Sequence, residues 1–151
     1  MILTEHFTYP ELTFSEYAIR HGINNVPSLD EGSNLLTLAD GLERVRAVLG
    51  KPISISSGYR CQKVNSAIGG ASGSYHTLGL AADFTVQGMS VIDACRAIEF
   101  AKAKIQYDKV IYEYGRWIHI QFPEVDAQPR MLGFTIMARI TGYVPGIQEA
   151  A

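Results

Sequence analysis

Between positions 33 and 49, apolar residues fall at Leu35, Leu36, Leu38, Leu42, Val45, Val48 and Leu49. That spacing paints one broad face of a helix. Ser33 is placed to cap it, Gly50 to end it, and Pro52 to bar its continuation. Ile53 and Ile55 then alternate with serines, the pattern of a half-buried strand. A further strand over 81–86 puts Ala81, Asp83 and Thr85 on one side. Ser90 caps a second helix, expected over 91–104, whose Val91, Ile92, Ala94, Cys95, Ile98 and Ala101 form its apolar face. Residues 109–114 and 117–122 read as a hairpin, residues 131–140 as a last strand, and the closing GYVPGIQEAA as a tail. Shorter signals fill the remainder. Thr8 with Glu11, and Thr13 with Glu16, have capping-box spacing. The second pair predicts a short helix to Arg20, ended by Gly22, with a loop over 24–27 and another short helix over 63–68. Helices around an antiparallel sheet, with strands near Ile53, Ala82, Ile111, His119 and Phe134, make an α+β fold.

Composition narrows the function classes. The 151 residues fit one domain, and 47% apolar with 19% charged residues is an ordinary globular balance. A net charge of −2 without a basic block argues against nucleic-acid binding. No apolar run approaches the ~20 residues of a membrane span, so no membrane insertion is expected. MILTEHFTYP lacks a basic stretch followed by an apolar one, so the expectation is synthesis in the cytoplasm without a signal peptide. Cys61 and Cys95 have no zinc-ligand spacing. They are expected to be reduced and packed, with a disulfide between them left open.

The chemistry gathers between Ile53 and Phe84, in ISISSGYRCQKVNSAIGGASGSYHTLGLAADF. His76 and Asp83 stand seven apart, with Gly79 between them to turn the chain back. Imidazole and carboxylate are both zinc ligands, and His119 in WIHIQF is the candidate third. Three protein ligands would leave a position open, as catalytic zinc sites do. By spacing alone, a structural histidine and a loop-capping aspartate remain the alternative. His6 and His21 read as surface or capping residues. The glycine loop of residues 69–74 carries no GK[ST] or GxGxxG, which leaves a phosphate site without support.

SGYR, Asn65, the SxHxxGxAxD run from Ser74 to Asp83, and the later WIH together resemble the zinc D-Ala-D-Ala peptidase family. That family includes bacterial cell-wall carboxypeptidases and dipeptidases, phage endolysins that cut between L-Ala and D-Glu, and more distantly the Hedgehog domain. The resemblance implies one zinc ion held by His76, Asp83 and His119, and a peptidoglycan stem peptide as substrate. HFTYPELTFSEYA and INNVP resemble the phage and prophage branch. Within that resemblance, residues 1–30 wrap around a catalytic core of 31–140, and 141–151 form the tail. The enzyme would act as a monomer on the cell wall after release from the cell. The SGYR arginine of relatives holds polar groups of the substrate near the scissile bond, which casts Arg60 as a catalytic and substrate-binding residue. Ser74 and Asn65 fit substrate contact or loop fixing, and Tyr59 and Tyr75 fit cleft walls.

Two positions depart from the family pattern. Many relatives place an acidic residue three before the last histidine, where this chain has Arg116. The nearest upstream carboxylate is Glu113, six before His119, a spacing that resembles the Hedgehog arrangement. Trp117 stands where relatives often carry the first histidine of HxH, and it is counted among the substrate-binding residues. A metallohydrolase needs a general base, and the hairpin register decides whether Glu113 is one. If the turn holds Tyr114, Gly115 and Arg116, Glu113 pairs with Trp117 and shares a face with His119. If it holds only Gly115 and Arg116, Glu113 flips to the other face. Two functions therefore stand: a zinc peptidase with Glu113 as base, and a zinc-stabilised module that binds cell wall or a protein without turnover.

Overall fold

The longest helix begins a full turn earlier than its apolar stripe suggests. In the computed structural model, which describes residues 1–138 and 142–149, it runs Leu29–Leu49. Ser28, not Ser33, is its cap: Ser28 Oγ accepts from the Glu31 N–H, and the Glu31 side chain accepts from the Ser28 N–H. A capping box satisfies two orphan donors at once, which outweighs the apolar pattern in setting the start. Gly50 ends the helix in the left-handed region, as expected. We label this helix α3. Before it come α1 (Tyr9–Thr13) and α2 (Glu16–Arg20). The Thr8–Glu11 capping box forms. The Thr13–Glu16 box does not: Thr13 Oγ1 donates to the Tyr9 carbonyl within α1, and Ser15 caps α2 instead.

Beyond α3 the chain gives β1 (Ile53–Ser57), α4 (Gln62–Ala67), a 3₁₀ turn (Tyr75–Leu78) and β2 (Ala81–Val86). Then follow α5 (Val91–Phe100), α6 (Lys102–Ile105), β3 (Lys109–Glu113), β4 (Trp117–Gln121), β5 (Leu132–Ile136) and β6 (Val144–Pro145). The expected helix over 91–104 is thus two, broken at Ala101. The six strands form one sheet in the order β1-β2-β4-β3-β5-β6. All pairs are antiparallel except β3 with β5, which run parallel. The last strand expected over 131–140 is observed as β5; its positions 139 and 140 lie outside the described residues. The segment read as a tail contributes β6 to the edge of β5. The fold is α+β, as the element order predicts.

Strand alternation divides the sheet into two faces with different chemistry. Ala82, Phe84, Val110, Tyr112, Ile118 and Ile120 join Leu35, Leu38, Leu42 and Val45 of α3 and Ala94, Cys95 and Ile98 of α5 in the core. The opposite face carries Asp83, Lys109, Ile111, Glu113, His119 and Gln121. Cys61 and Cys95 are free thiols, the second buried.

Helix α3 packs closely against Phe122, the residue that follows β4. A β-carbon on Gly41 would clash with three atoms of the Phe122 ring. Gly41→Ala is therefore expected to destabilise the domain by about 1–3 kcal/mol. Gly32 on the same helix has open space around it. Gly32→Ala should leave the protein equally or more stable, because alanine is the better helix former. Thermal midpoints of the two variants, compared with the parent, check the contrast.

Candidate metal centre and its cleft

Three of the predicted residues converge beneath the glycine loop. Asp83 and His119 sit opposite one another on β2 and β4. His76 comes from the 3₁₀ turn, which Ser74 caps and Gly79 ends in the left-handed region at φ 76°. Each residue offers one ligand atom, and the three atoms lie within 4.8 Å of one another. Asp83 Oδ1 is 3.2 Å from His76 Nε2 and 3.1 Å from His119 Nδ1.

The outer contacts fix which nitrogen of each imidazole carries the proton. His76 Nδ1 lies 2.7 Å from the Gly58 carbonyl oxygen, which only accepts, so Nδ1 donates and neutral Nε2 presents a lone pair. The second histidine is set by a longer chain. Arg130 donates from Nε and Nη2 to the two oxygens of Asp108 at 2.8 and 2.6 Å. Burial works against charge on Asp108, but hydrogen bonds from Arg130 and Gln121 outweigh it and hold its carboxyl below the usual range. The Asp108 carboxylate thus accepts from Gln121 Nε2 at 2.9 Å, which turns Gln121 Oε1 toward His119. His119 Nε2 donates to that oxygen at 3.0 Å, which leaves Nδ1 facing Asp83 to hold either a metal ion or a second proton.

Two imidazole lone pairs and a carboxylate oxygen facing one point repel one another unless a positive charge sits there. The titrations of the three groups reflect the same pull toward positive charge, although the two imidazoles shift in opposite directions. Burial opposes charge on Asp83, but the two imidazoles outweigh it and hold its carboxyl far below the usual range. Burial pushes the His76 imidazole down. Burial also works against His119, yet its hydrogen bond to Asp83 and that anion's charge raise it, so that without an ion a proton on Nδ1 supplies the positive charge. Two neutral nitrogens and one carboxylate oxygen are a donor set that zinc accepts, so the residues fit the ion.

Glu113 stands on the same face. It pairs with Trp117, and the turn holds Tyr114, Gly115 and Arg116. Tyr114 and Gly115 both adopt left-handed backbone, at φ 55° and 68°, and the Arg116 N–H closes the turn on the Glu113 carbonyl at 3.0 Å. Burial and then the nearby Asp83 charge push the Glu113 carboxyl up. The Trp117 indole N–H is buried with no hydrogen-bond partner among the described residues, and its proximity favours ionised Glu113. Trp117 belongs to the side of Glu113 rather than to the lining of the cleft.

The remaining candidates divide between cleft and scaffold. Arg60 lines the cleft, but its guanidinium is already engaged: Nη2 donates to Asp83 Oδ2 at 3.1 Å and Nε to Ser57 Oγ at 3.0 Å. It therefore orients the Asp83 carboxylate whatever else it touches. Asn65 is buried and holds the glycine loop, donating from Nδ2 to the Ala71 carbonyl. Ser74 lines the cleft and accepts from the His76 N–H. Tyr75 is a cleft wall, whereas Tyr59 is buried and donates to Glu31. His6 and His21 hydrogen-bond Glu43 and the Tyr17 carbonyl at the surface, away from the site. The cleft over the triad encloses about 420 Å³.

Gln121, Asp108 and Arg130 escape the sequence reading. For Gln121 a signal exists, since it lies two residues past His119 on the same strand face. For the Asp108–Arg130 pair, 22 residues apart, there is none. Gln121→Leu should weaken metal affinity about 10–100-fold, because the imidazole loses the partner that fixes its tautomer. Competition with a chromophoric chelator measures this directly.

Two histidines and an aspartate that converge in an open cleft, with a further carboxylate on the same face, match the arrangement used by single-metal hydrolases. The Peptidase M15 family profile matches residues 5–121, and the chain belongs to that family. It is 36% identical over 81 residues to the peptidoglycan L,D-endopeptidase MepK of Escherichia coli K12, covering 49% of this chain and 42% of that protein. MepK of Escherichia coli O157:H7 and of Shigella flexneri match to the same extent. The match spans less than half the length of these curated relatives. Among the described residues no helix is long and apolar enough to cross a membrane.

Proposed function

We propose that this chain is a zinc peptidase that hydrolyses amide bonds in the stem peptides of peptidoglycan. The observation that carries the reading is the convergence of His76 Nε2, Asp83 Oδ1 and His119 Nδ1 on the sheet face that also carries Glu113. The name of the MepK relatives supports the substrate class. The amino-terminal resemblance to phage and prophage enzymes supports a role in wall degradation.

His76, Asp83 and His119 would hold the ion. When bound, zinc supplies Lewis acidity, which polarises an amide carbonyl and acidifies water. Glu113 takes the proton from the attacking water and returns it to the leaving nitrogen as the C–N bond breaks. Its raised affinity for protons suits a group that must both accept and give one. Trp117, paired with Glu113 across the hairpin, favours the ionised base. Arg60 keeps Asp83 Oδ2 engaged, so that Oδ1 stays toward the imidazoles, and presents positive charge to a substrate oxygen.

The test is mass spectrometry of purified peptidoglycan after incubation with zinc-loaded protein, beside a chelated control. New zinc-dependent fragments are expected, and their masses identify the bond cut. Bound zinc with no fragments would overturn the peptidase and favour a binding module.

A further inference from the structure

Lys109 is a cation in the cleft that neither the metal centre nor the base employs. It lies on β3 in the same face as Ile111 and Glu113, and it lines the cleft. The other two cations lining the cleft have carboxylate partners: Arg60 has Asp83 and Arg130 has Asp108. Among the described residues Lys109 has none. Its Nζ is instead held 5.7 Å from the Phe134 ring centroid and 5.5 Å from that of Tyr143. Aromatic faces position an ammonium and take water from it without neutralising it. The glycine loop that lines the cleft offers no negative charge either, since residues 69–74 are glycine, alanine and serine.

The charges of the cleft point the same way. Arg60, Lys109 and Arg130 balance Asp83, Glu113 and Asp108, and a divalent ion on the triad would leave an excess of positive charge. Arg130 adds directional donors, because the bonds to Asp108 use two of the five N–H groups of its guanidinium. The chain brings it to Asp108, the neighbour of Lys109. Lys109 pairs with Gln121, one same-face step from the Ile111–His119 pair. That step is roughly 7 Å, the span of two residues of extended peptide.

We propose that Lys109, with Arg130 beside it, is an anion-binding subsite that takes a free carboxylate of the substrate about two residues from the cleaved bond. The site thus selects acidic peptides. The inference rests on the peptidase reading for its substrate, but its test separates the two.

The probe is the pentapeptide L-Ala-γ-D-Glu-L-Lys-D-Ala-D-Ala, with two forms amidated singly at the D-Glu α-carboxylate or at the carboxyl terminus. With zinc-loaded wild type, one of the two amidations is expected to raise KM about tenfold, the scale of a hydrogen bond to a charged group. Lys109→Met should raise KM for the free peptide to the same degree, leave kcat within about twofold, and erase the preference between the forms. Lys109→Arg should restore it. Indifference of the wild type to both amidations, or an equal loss by Lys109→Met on every form, would overturn the subsite. If the wild type cleaves none of the peptides, the peptidase reading fails on them, and titration calorimetry with the same three peptides still decides. Discrimination by the wild type that is lost in Lys109→Met sustains the subsite, whereas equal or absent binding removes it.

Discussion

Glu113→Gln is expected to lower turnover of peptidoglycan by about 10²–10⁴-fold while zinc content stays at the parental level. The amide keeps the size of the carboxylate but cannot accept a proton from water. Glu113 is not one of the three converging ligand residues, so metal binding should not depend on it. Elemental analysis and a fragment assay on the same preparation separate the two effects. Retained activity would remove Glu113 from its role and leave the site without a base. Loss of zinc together with activity would mean that Glu113 helps hold the ion.

Asp83 has the larger structural consequence. One oxygen faces both imidazoles and the other accepts from Arg60. Asp83→Ala is expected to abolish stoichiometric zinc binding, since two neutral histidines alone make a weak site. It should also destabilise the metal-free protein by about 3 kcal/mol, the scale of a buried ion pair broken by loss of one partner. The Arg60 side chain is 15% exposed, so water compensates its charge poorly once the carboxylate is gone. Urea denaturation in excess chelator isolates this part from the metal's own contribution. Unchanged chelated stability would show that Ser57 and Asn65 suffice to satisfy the guanidinium.

Function here depends on a division of labour within one sheet. The face toward α3 and α5 is apolar and holds the strands rigid, while the other face presents alternate residues of the same strands as candidate ligands, proposed base and cleft lining. A ligand on a strand moves little, because its neighbours in the ladder and its buried counterparts across the pleat fix it. Only His76 comes from a turn. That turn is anchored by its Ser74 cap, by Gly79, and by the His76 carbonyl accepting from the Arg60 N–H at 3.1 Å.

Much of this was legible in the residues. Local stereochemistry determined the strands, the glycine stop of α3, the cap at Ser90, and the set of residues sharing a face. The SxHxxGxAxD run and the later histidine marked the converging triad and the family. These features depend on a few neighbouring residues, and period-two alternation carries them along each strand without knowledge of what packs against it.

The tertiary structure decided what pattern leaves open. The start of α3 went to Ser28, because its reciprocal bonds with Glu31 satisfy the helix end better than the apolar stripe marks it. The hairpin register, on which Glu113 depends, rests on a tyrosine in left-handed backbone, a state that residue type does not announce. The parallel placement of β5 and the pairing of β6 needed the whole sheet. The tautomer of His119 is set through Gln121 by Asp108 and Arg130, and the orientation of Asp83 by Arg60 from 23 positions away. Sequence spacing reports what the chain does to itself over a few residues. Which distant polar groups satisfy one another is decided only when packing excludes water and leaves them no other partner.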